Sequence, residues 1–192
     1  MQQTELTVEI FDEIDSIKTK LISKGFRVLE TFSMKDVYLS KLPKTDIVSK
    51  SYEEMIKNSV VIRTLMGAST VNLILYKDKR YNNSGDVVAE RKITCSVEDA
   101  DKVEKILLNA GMESWCELVQ NMTVFRNEDM QFVVQEVENL GTFIEYEEDE
   151  ALKDLSTNQK IEKMKADLTS LGLNTGDNFF CKKIFMKIKK EN

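Results

Sequence analysis

Two glutamates near the C-terminal end of the chain have the spacing of a paired carboxylate site. Glu145 and Glu147 belong to the segment Leu140 to Glu147, in which Gly141 permits a turn and the following residues favour a strand. Because side chains alternate between the two faces of a strand, both carboxylates point to the same face. Such neighbours repel each other unless they lie in water, face cations or share a divalent metal.

The same spacing also fits a solvated outer face. The acidic run from Glu147 to Glu150 supports that interpretation, because several adjacent carboxylates are most stable in water. The spacing alone leaves both interpretations open.

Composition excludes several kinds of catalytic site. The chain has 192 residues, 42% of them hydrophobic and 31% charged, which predicts a single soluble domain spanning residues 1–192. It contains no histidine, so Ser-His-Asp catalysis and histidine-ligated zinc are excluded. Acid–base chemistry would have to use carboxylates, lysine, tyrosine or a metal-bound water.

Charge and cysteine usage predict a cytoplasmic protein that binds neither nucleic acid nor membrane. The 33 acidic residues outnumber the 27 basic ones, which argues against a general nucleic-acid binder. No apolar run reaches transmembrane length, and the N-terminus lacks the apolar core of a signal peptide. Cys95, Cys116 and Cys181 are widely spaced, as expected of reduced thiols.

Helical and strand-like segments together predict an α+β fold. Apolar residues recur at the same offsets before Gly25, Gly111 and Gly172, and a large apolar residue follows each glycine, which predicts three amphipathic helices with similar C-caps. A short helix is expected over 51–58. Strands are predicted over 6–11, 37–39, 60–65, 70–76, 87–94, 117–125, 131–137 and 142–147, and an extended segment over 27–32. So many antiparallel strands favour a closed or nearly closed barrel, with the helices packed outside.

Charged residues within these strands are candidates for the barrel interior. Cations on one side and carboxylates on the other would suit a polyphosphate with Mg²⁺. The candidate phosphate ligands are Arg63, Lys77, Arg91 and Lys92, and the candidate metal ligands are Glu145, Glu147, Glu5 and Glu9. Two simpler interpretations stay open: Arg63 could reach solvent from a core strand, and Lys77 could open a solvated hairpin.

Motifs in sequence order resemble the CYTH superfamily, which includes class IV adenylate cyclases, thiamine triphosphatases and other triphosphate tunnel metalloenzymes. The resemblance is carried by 25–26, 34–39, 61–63, 75–77, 97–99 and 137–147, and the Leu-Gly-x-Phe-x-Glu-x-Glu pattern in the last of these is the most specific. It implies an eight-stranded antiparallel β-barrel, a tunnel that binds a nucleotide or an inorganic or organic triphosphate, and Mg²⁺ or Mn²⁺ as the metal. Members of the family can dimerise, so a homodimer also stays open.

Several positions depart from the family pattern. The first strand, Glu5 to Glu9, lacks the middle carboxylate and the lysine of the family's Glu-x-Glu-x-Lys. Val61 stands where the family has an arginine, and Gln135 where an aspartate is common. The charges around Arg91 are reversed or neutral relative to the family, and no basic pair occurs over 120–122. Each charge-assisted contact is worth about 1.5–3 kcal/mol, so these losses predict a weakened active site.

Three functions follow as alternatives. The first is a metal-dependent triphosphatase, or an adenylate cyclase that forms cyclic AMP from ATP. The second is a tunnel that binds a phosphorylated anion without turning it over, in which the cations matter more than the carboxylates. The third is a protein-interaction scaffold that keeps only the barrel.

Overall fold

The computed structural model describes residues 3–191, which form eight strands and six α-helices. The strands are β1 (Glu5–Ile10), β2 (Arg27–Ser40), β3 (Ser59–Met66), β4 (Thr70–Tyr81), β5 (Val87–Val97), β6 (Glu113–Arg126), β7 (Gln131–Val137) and β8 (Gly141–Glu147). The helices are α1 (Ile14–Ser23), α2 (Lys44–Ile47), α3 (Tyr52–Lys57), α4 (Ala100–Asn109), α5 (Thr157–Ser170) and α6 (Lys183–Glu191). Within the described range, no helix is both long and apolar enough to span a membrane.

All eight strands belong to one antiparallel sheet in the order β1-β8-β7-β6-β2-β3-β4-β5. The sheet curls into a half-barrel, so the predicted α+β class and antiparallel architecture are confirmed. The two edges of the sheet approach each other just before β1, where Gln3 exchanges backbone hydrogen bonds of 3.0 and 2.9 Å with Glu90 on β5. The sheet is therefore a half-barrel and not a fully closed barrel, which was the other architecture favoured by the number of strands.

A C-terminal segment covers much of the β1 edge, which explains why that edge does not pair further with β5. Phe11 N donates to the carbonyl of Asn174 at 2.8 Å, and Gly176 N donates to that of Glu9 at 2.9 Å. Farther along, Cys181 N donates to the carbonyl of Thr7 at 2.9 Å. The backbone groups of β1 are thus satisfied by residues 174–181.

Three helices cover the outer face of the sheet, as the sequence pattern predicted. α1 and α5 pack on β1, β7 and β8, and α4 packs on β2 and β3. Gly25 and Gly111 follow α1 and α4 with φ of +84° and +86°, a conformation that disfavours side chains. The residue after each glycine completes the C-cap of its helix. After Gly25, for example, Phe26 N donates a hydrogen bond to the carbonyl of Leu21 at 3.1 Å.

The inner face of the sheet is apolar at one end. Residues of α2, α3 and α6 contact this end of the concave face, so it forms a packed floor beneath the charged part of the half-barrel. The floor contains Tyr38, Val61, Leu75, Leu118, Val137 and Phe143 from the strands, and Ile47, Met55, Ile56, Ile184 and Ile188 from the helices.

Several elements differ locally from the predicted ones. The two segments expected within 27–39 form the single strand β2, because β6 pairs with it along its whole length. Asp12 is a residue type suited to a helix N-cap, but Glu13 directly precedes α1, and the carboxylate of Asp12 pairs with Lys20 at 3.0 Å. The helices α2 and α6 were not predicted. The helix expected over 51–58 is α3, which carries a capping box formed by Ser51 and Glu54.

Candidate functional site

A cavity of about 530 Å³ occupies the concave side of the half-barrel above the apolar floor. It exists because every second residue of the curled strands points inward. Apolar positions form the floor, and the next inward positions along the strands are charged. The inward charged residues that line the cavity are Glu5, Asp36, Arg63, Lys77, Lys79, Glu90, Lys92, Glu145, Glu147 and Lys183.

Three carboxylates converge on one wall of the cavity. Glu5 on β1 and Glu145 and Glu147 on β8 each offer an oxygen, and these atoms lie within 4.8 Å of one another. The register explains the convergence, because Glu5 pairs with Glu147 and Thr7 with Glu145. Burial, reinforced by the charge of Glu145, raises the pKa of Glu5 to about 7.

Two lysines neutralise part of this acidic cluster. Lys92 Nζ lies 3.1 Å from Glu147, 3.5 Å from Glu90 and 3.9 Å from Glu5. Lys183 Nζ lies 3.0 Å from Glu145 Oε2 and also donates to the amide oxygen of Gln135. Burial alone would raise the pKa of Glu145, but Lys183 and Lys92 outweigh it and hold that pKa well below its ordinary value.

A bidentate ion pair occupies another part of the wall. Arg63 on β3 donates from Nε to Asp36 Oδ1 at 2.7 Å and from Nη2 to Oδ2 at 2.6 Å. The Asp36 side chain is 1% exposed, so both charges lie in a region of low dielectric. Burial disfavours the carboxylate, but the hydrogen bond and charge of Arg63 lower its pKa.

Lys77 on β4 lies beside this pair. Its Nζ donates to the hydroxyl oxygen of Tyr38 at 2.8 Å and lies 3.7 Å from Asp36. Burial lowers the pKa of Lys77 to about 8, and the charge of Asp36 opposes that shift only in part. A lysine with this pKa is partly neutral near neutral pH, so it can accept a proton.

A second buried pair joins Lys79 to Glu90. The two side chains are 7% and 5% exposed and are in direct contact. Burial opposes ionisation of both groups, yet the charges of Lys79 and Lys77 lower the pKa of Glu90 to about 2. Both groups therefore stay charged, and this pair does not supply a proton acceptor near neutral pH.

Six of the eight candidate residues line the cavity together. They are Arg63, Lys77, Lys92, Glu5, Glu145 and Glu147. Arg91 lies next to Lys92 on β5 and therefore points the other way, where it pairs with Asp78 at 2.8 Å on an exposed surface. Glu9 shares a strand with Glu5 but lies two inward positions away, near Gly141, and lies outside the acidic cluster. The structure thus separates Arg91 and Glu9 from the site.

The cavity lining also contains residues that were not among the eight candidates, including Asp36, Tyr38, Lys79, Glu90 and Lys183. Strand alternation would have identified Lys79 from Lys77 and Glu90 from Lys92. No comparable signal marked Lys183, because the helix it begins was not predicted.

The acidic cluster fits a divalent cation. Three carboxylates are suitable ligands for Mg²⁺ or Mn²⁺, and the raised pKa of Glu5 means that an added positive charge there would be stabilising. Gln120 Oε1 also lines the cavity and is buried without a hydrogen-bond partner. A bound ligand or metal-bound water that donates a hydrogen bond would satisfy it.

Comparison with solved structures identifies the fold. A protein of Pyrococcus horikoshii superimposes with a TM-score of 0.72 at 18% identity, covering 98% of this chain and 99% of that one. A candidate adenylate cyclase of Vibrio parahaemolyticus gives 0.64 at 15% identity, covering 98% and 97%. A candidate adenylyl cyclase of Hippeastrum, described as having a dominant triphosphatase activity, gives 0.61 at 12% identity, covering 99% and 96%.

Comparison of the sequence alone is uninformative, since no family model and no curated protein matches it. The three-dimensional likeness spans nearly the whole chain and includes cyclase-like and triphosphatase structures. The chain therefore shares the fold of these structures over nearly its whole length, as expected from the resemblance of its motifs to the CYTH superfamily.

Proposed function

We propose that this protein binds a triphosphate together with a divalent cation in the cavity of the half-barrel. The observation that carries the proposal is the convergence of Glu5, Glu145 and Glu147 on one wall of a cavity that also contains Arg63 and Lys77. Carboxylates bind the cation, and the guanidinium of Arg63 and the ammonium of Lys92 bind phosphate oxygens. The neighbouring structures support this, because one of them is described as a triphosphatase.

Hydrolysis of the terminal phosphoryl group is the reaction that the site supports best. Arg63 and Lys92 would hold and orient the phosphate chain, and Lys77 would accept a proton from the attacking water. The pKa of about 8 for Lys77 suits that role. A metal bound by the acidic cluster would polarise the phosphoryl oxygens and offset their charge.

Formation of cyclic AMP from ATP is the related alternative reaction. It uses the same phosphate and metal contacts, but the nucleophile is the ribose hydroxyl rather than water. The likeness to candidate adenylate cyclases supports keeping this alternative. The two reactions differ in product, so one assay can separate them.

Binding without turnover is favoured by a different observation. The cations of the cavity already have partners: Arg63 pairs with Asp36, Lys79 with Glu90 and Lys92 with Glu147. A phosphate must compete with these buried carboxylates, which reduces the affinity and rate that the site can reach. A scaffold function is the third alternative, since a chain of the Schizosaccharomyces pombe Mediator head module shares the fold with a TM-score of 0.52.

We also propose a cytoplasmic location. Cys95, Cys116 and Cys181 are all free thiols, of which Cys95 is exposed. Persistent free thiols are typical of a reducing compartment.

The deciding experiment measures phosphate release from tripolyphosphate, ATP and thiamine triphosphate with Mg²⁺ or Mn²⁺, and cyclic AMP in parallel. The control is the double variant Glu145→Gln/Glu147→Gln, which keeps the side-chain shapes but removes two negative charges. Wild type should exceed the control by orders of magnitude on at least one substrate. Equal rates on every substrate would refute catalysis, and the absence of a thermal shift with millimolar tripolyphosphate would refute binding as well.

A further inference from the structure

Lys183 differs from Arg63, Lys77 and Lys92 in the element that carries it. It is the first residue of α6, whereas Arg63, Lys77 and Lys92 lie on strands. Its ammonium group crosses from the helix to Glu145 on β8 at 3.0 Å. The side chains of Lys183 and Glu145 are 14% and 18% exposed, so solvent screens this pair only weakly.

The charge balance of the acidic cluster explains what this lysine does. Without a metal, and with all three carboxylates of the cluster ionised, they face two ammonium groups, those of Lys92 and Lys183. The net charge of these five groups is −1, and a bound divalent cation would change it to +1. One ammonium group then becomes unfavourable beside the metal, because like charges repel at short range.

Lys183 is the group that is easier to displace. Lys92 has three carboxylates within reach, namely Glu5, Glu90 and Glu147, and keeps Glu90 when the cluster binds a metal. Lys183 has one carboxylate, Glu145, and its second contact is the neutral amide of Gln135. Among the residues that the structure describes, Glu145 is the only carboxylate within 4 Å of the Lys183 ammonium, so displacement costs Lys183 its one ion pair.

We propose that Lys183 is an internal counter-cation that competes with the divalent metal for Glu145 and couples metal binding to the position of α6. The proposal rests on the proposed metal site and adds its regulation. Displacement of Lys183 would loosen the start of α6, since the helix enters the cavity there. The neighbouring Lys182 donates to the carbonyl of Gly85 at 2.7 Å, so the segment is also tied to the β4–β5 turn.

Metal affinity of a charge-neutral variant tests the competition directly. Mn²⁺ binding is measured by titration calorimetry for wild type, Lys183→Met and Lys187→Met. Lys183→Met should bind Mn²⁺ about tenfold more tightly or better, the size expected from removing a charge-assisted contact that opposes binding. Lys187→Met is the matched control, since Lys187 lies one turn along α6 and donates to the carbonyl of Glu117 at 2.7 Å.

Amide hydrogen exchange gives a second readout that does not depend on activity. In wild type, Mn²⁺ should increase exchange in the first turns of α6. In Lys183→Met, that exchange should already be fast without metal and should change little when Mn²⁺ is added. Lys183→Arg keeps the charge and should bind Mn²⁺ no more tightly than wild type, which tests the idea even if the Met variant folds poorly.

The outcomes separate the two proposals. Equal Mn²⁺ affinity in wild type and Lys183→Met would overturn the competition while leaving the metal site intact. Absence of Mn²⁺ binding in both proteins would overturn the metal site and the competition together. Mn²⁺ binding that appears only in Lys183→Met would support the competition in its strongest form.

Discussion

Asp36 holds Arg63 by two hydrogen bonds of 2.7 and 2.6 Å, so a carboxylate of the chain occupies the fork that a phosphate would use. Lys77 also lies within 3.7 Å of the same carboxylate. Asp36 therefore organises two cations of the cavity and at the same time neutralises them. This relationship makes the cavity stable without ligand and limits how strongly it can attract an anion.

Replacement of Asp36 by Asn should destabilise the free protein and strengthen its response to anions. Loss of one partner of a buried pair costs about 3–5 kcal/mol, because Arg63 is left buried without its counter-charge. Tripolyphosphate would then replace the missing charge, so its stabilising thermal shift should be larger in Asp36→Asn than in wild type. Differential scanning fluorimetry measures both effects.

Asp78→Asn is the control for that measurement. Asp78 pairs with Arg91 on the outer face, and the side chains are 53% exposed for Arg91 and 39% for Asp78. Its loss should change stability by less than about 1 kcal/mol and leave the tripolyphosphate shift unaltered. An equal shift in Asp36→Asn and wild type would contradict the view that Asp36 competes with the anion.

The Glu5 carboxyl predicts a specific pH dependence of stability. Its pKa rises from 4.5 to about 7 on folding, so the folded state holds a proton that the unfolded state has already released. The protein therefore loses stability as pH rises through this window, and Glu5→Gln should remove that loss. At about pH 8 the variant should melt several degrees higher than wild type, because a pKa raised from 4.5 to about 7 corresponds to about 3 kcal/mol, and about 1 kcal/mol shifts the melting temperature by about 2–4 °C at this size.

The comparison at low pH completes that test. Well below pH 4.5, Glu5 is protonated in both states, so wild type and Glu5→Gln should melt at similar temperatures. Melting curves over the whole range should therefore converge towards acid and separate towards alkali. A constant difference at every pH would mean that Glu5 acts through packing rather than through its charge.

Sequence patterns predicted the strands and outer helices because each has a strong local cause. The helices before Gly25 and Gly111 combine an apolar stripe with a C-cap, and both signals are contained in short segments. Strands β7 and β8 are likewise predicted from a local signal, the alternation of apolar and polar residues along each strand. The open seam between β1 and β5 has no local cause, because it depends on residues 174–181, which are distant in sequence from β1.

The site was predicted only in part, because some of its features have a local cause in the sequence and others depend on residues that are distant along the chain. Glu145 and Glu147 follow from alternation within one strand, but their approach to Glu5 depends on the register of β1 against β8. Arg91 and Lys92 cannot both face the cavity, since adjacent strand residues point in opposite directions, and the sequence does not say which one does. Lys183 enters from a separate element, so only tertiary structure could reveal it.

Glu9 and Glu5 provide a matched pair for testing the metal site. Both lie on β1 and point to the same face of the sheet, but only Glu5 belongs to the cluster of carboxylate oxygens that lie within 4.8 Å of one another. Glu5→Gln should weaken Mn²⁺ binding measured by calorimetry about tenfold or more, whereas Glu9→Gln should leave it unchanged. Equal losses in both variants would indicate a nonspecific effect of negative charge on β1.

Lys77 predicts the pH dependence of hydrolysis. Below its pKa of about 8 the ammonium form cannot accept a proton from water, so the rate at saturating Mg²⁺ should rise through that pH and then level off. Lys77→Arg keeps the positive charge but not the titration, and should lower the plateau rate by about 10²–10⁴-fold while tripolyphosphate still binds. Lys35→Arg is the control, since Lys35 pairs with Glu117 at 2.9 Å and the two side chains are 43% and 47% exposed. A pH profile in Lys77→Arg that rises with the same midpoint as wild type would assign the proton acceptor to another group.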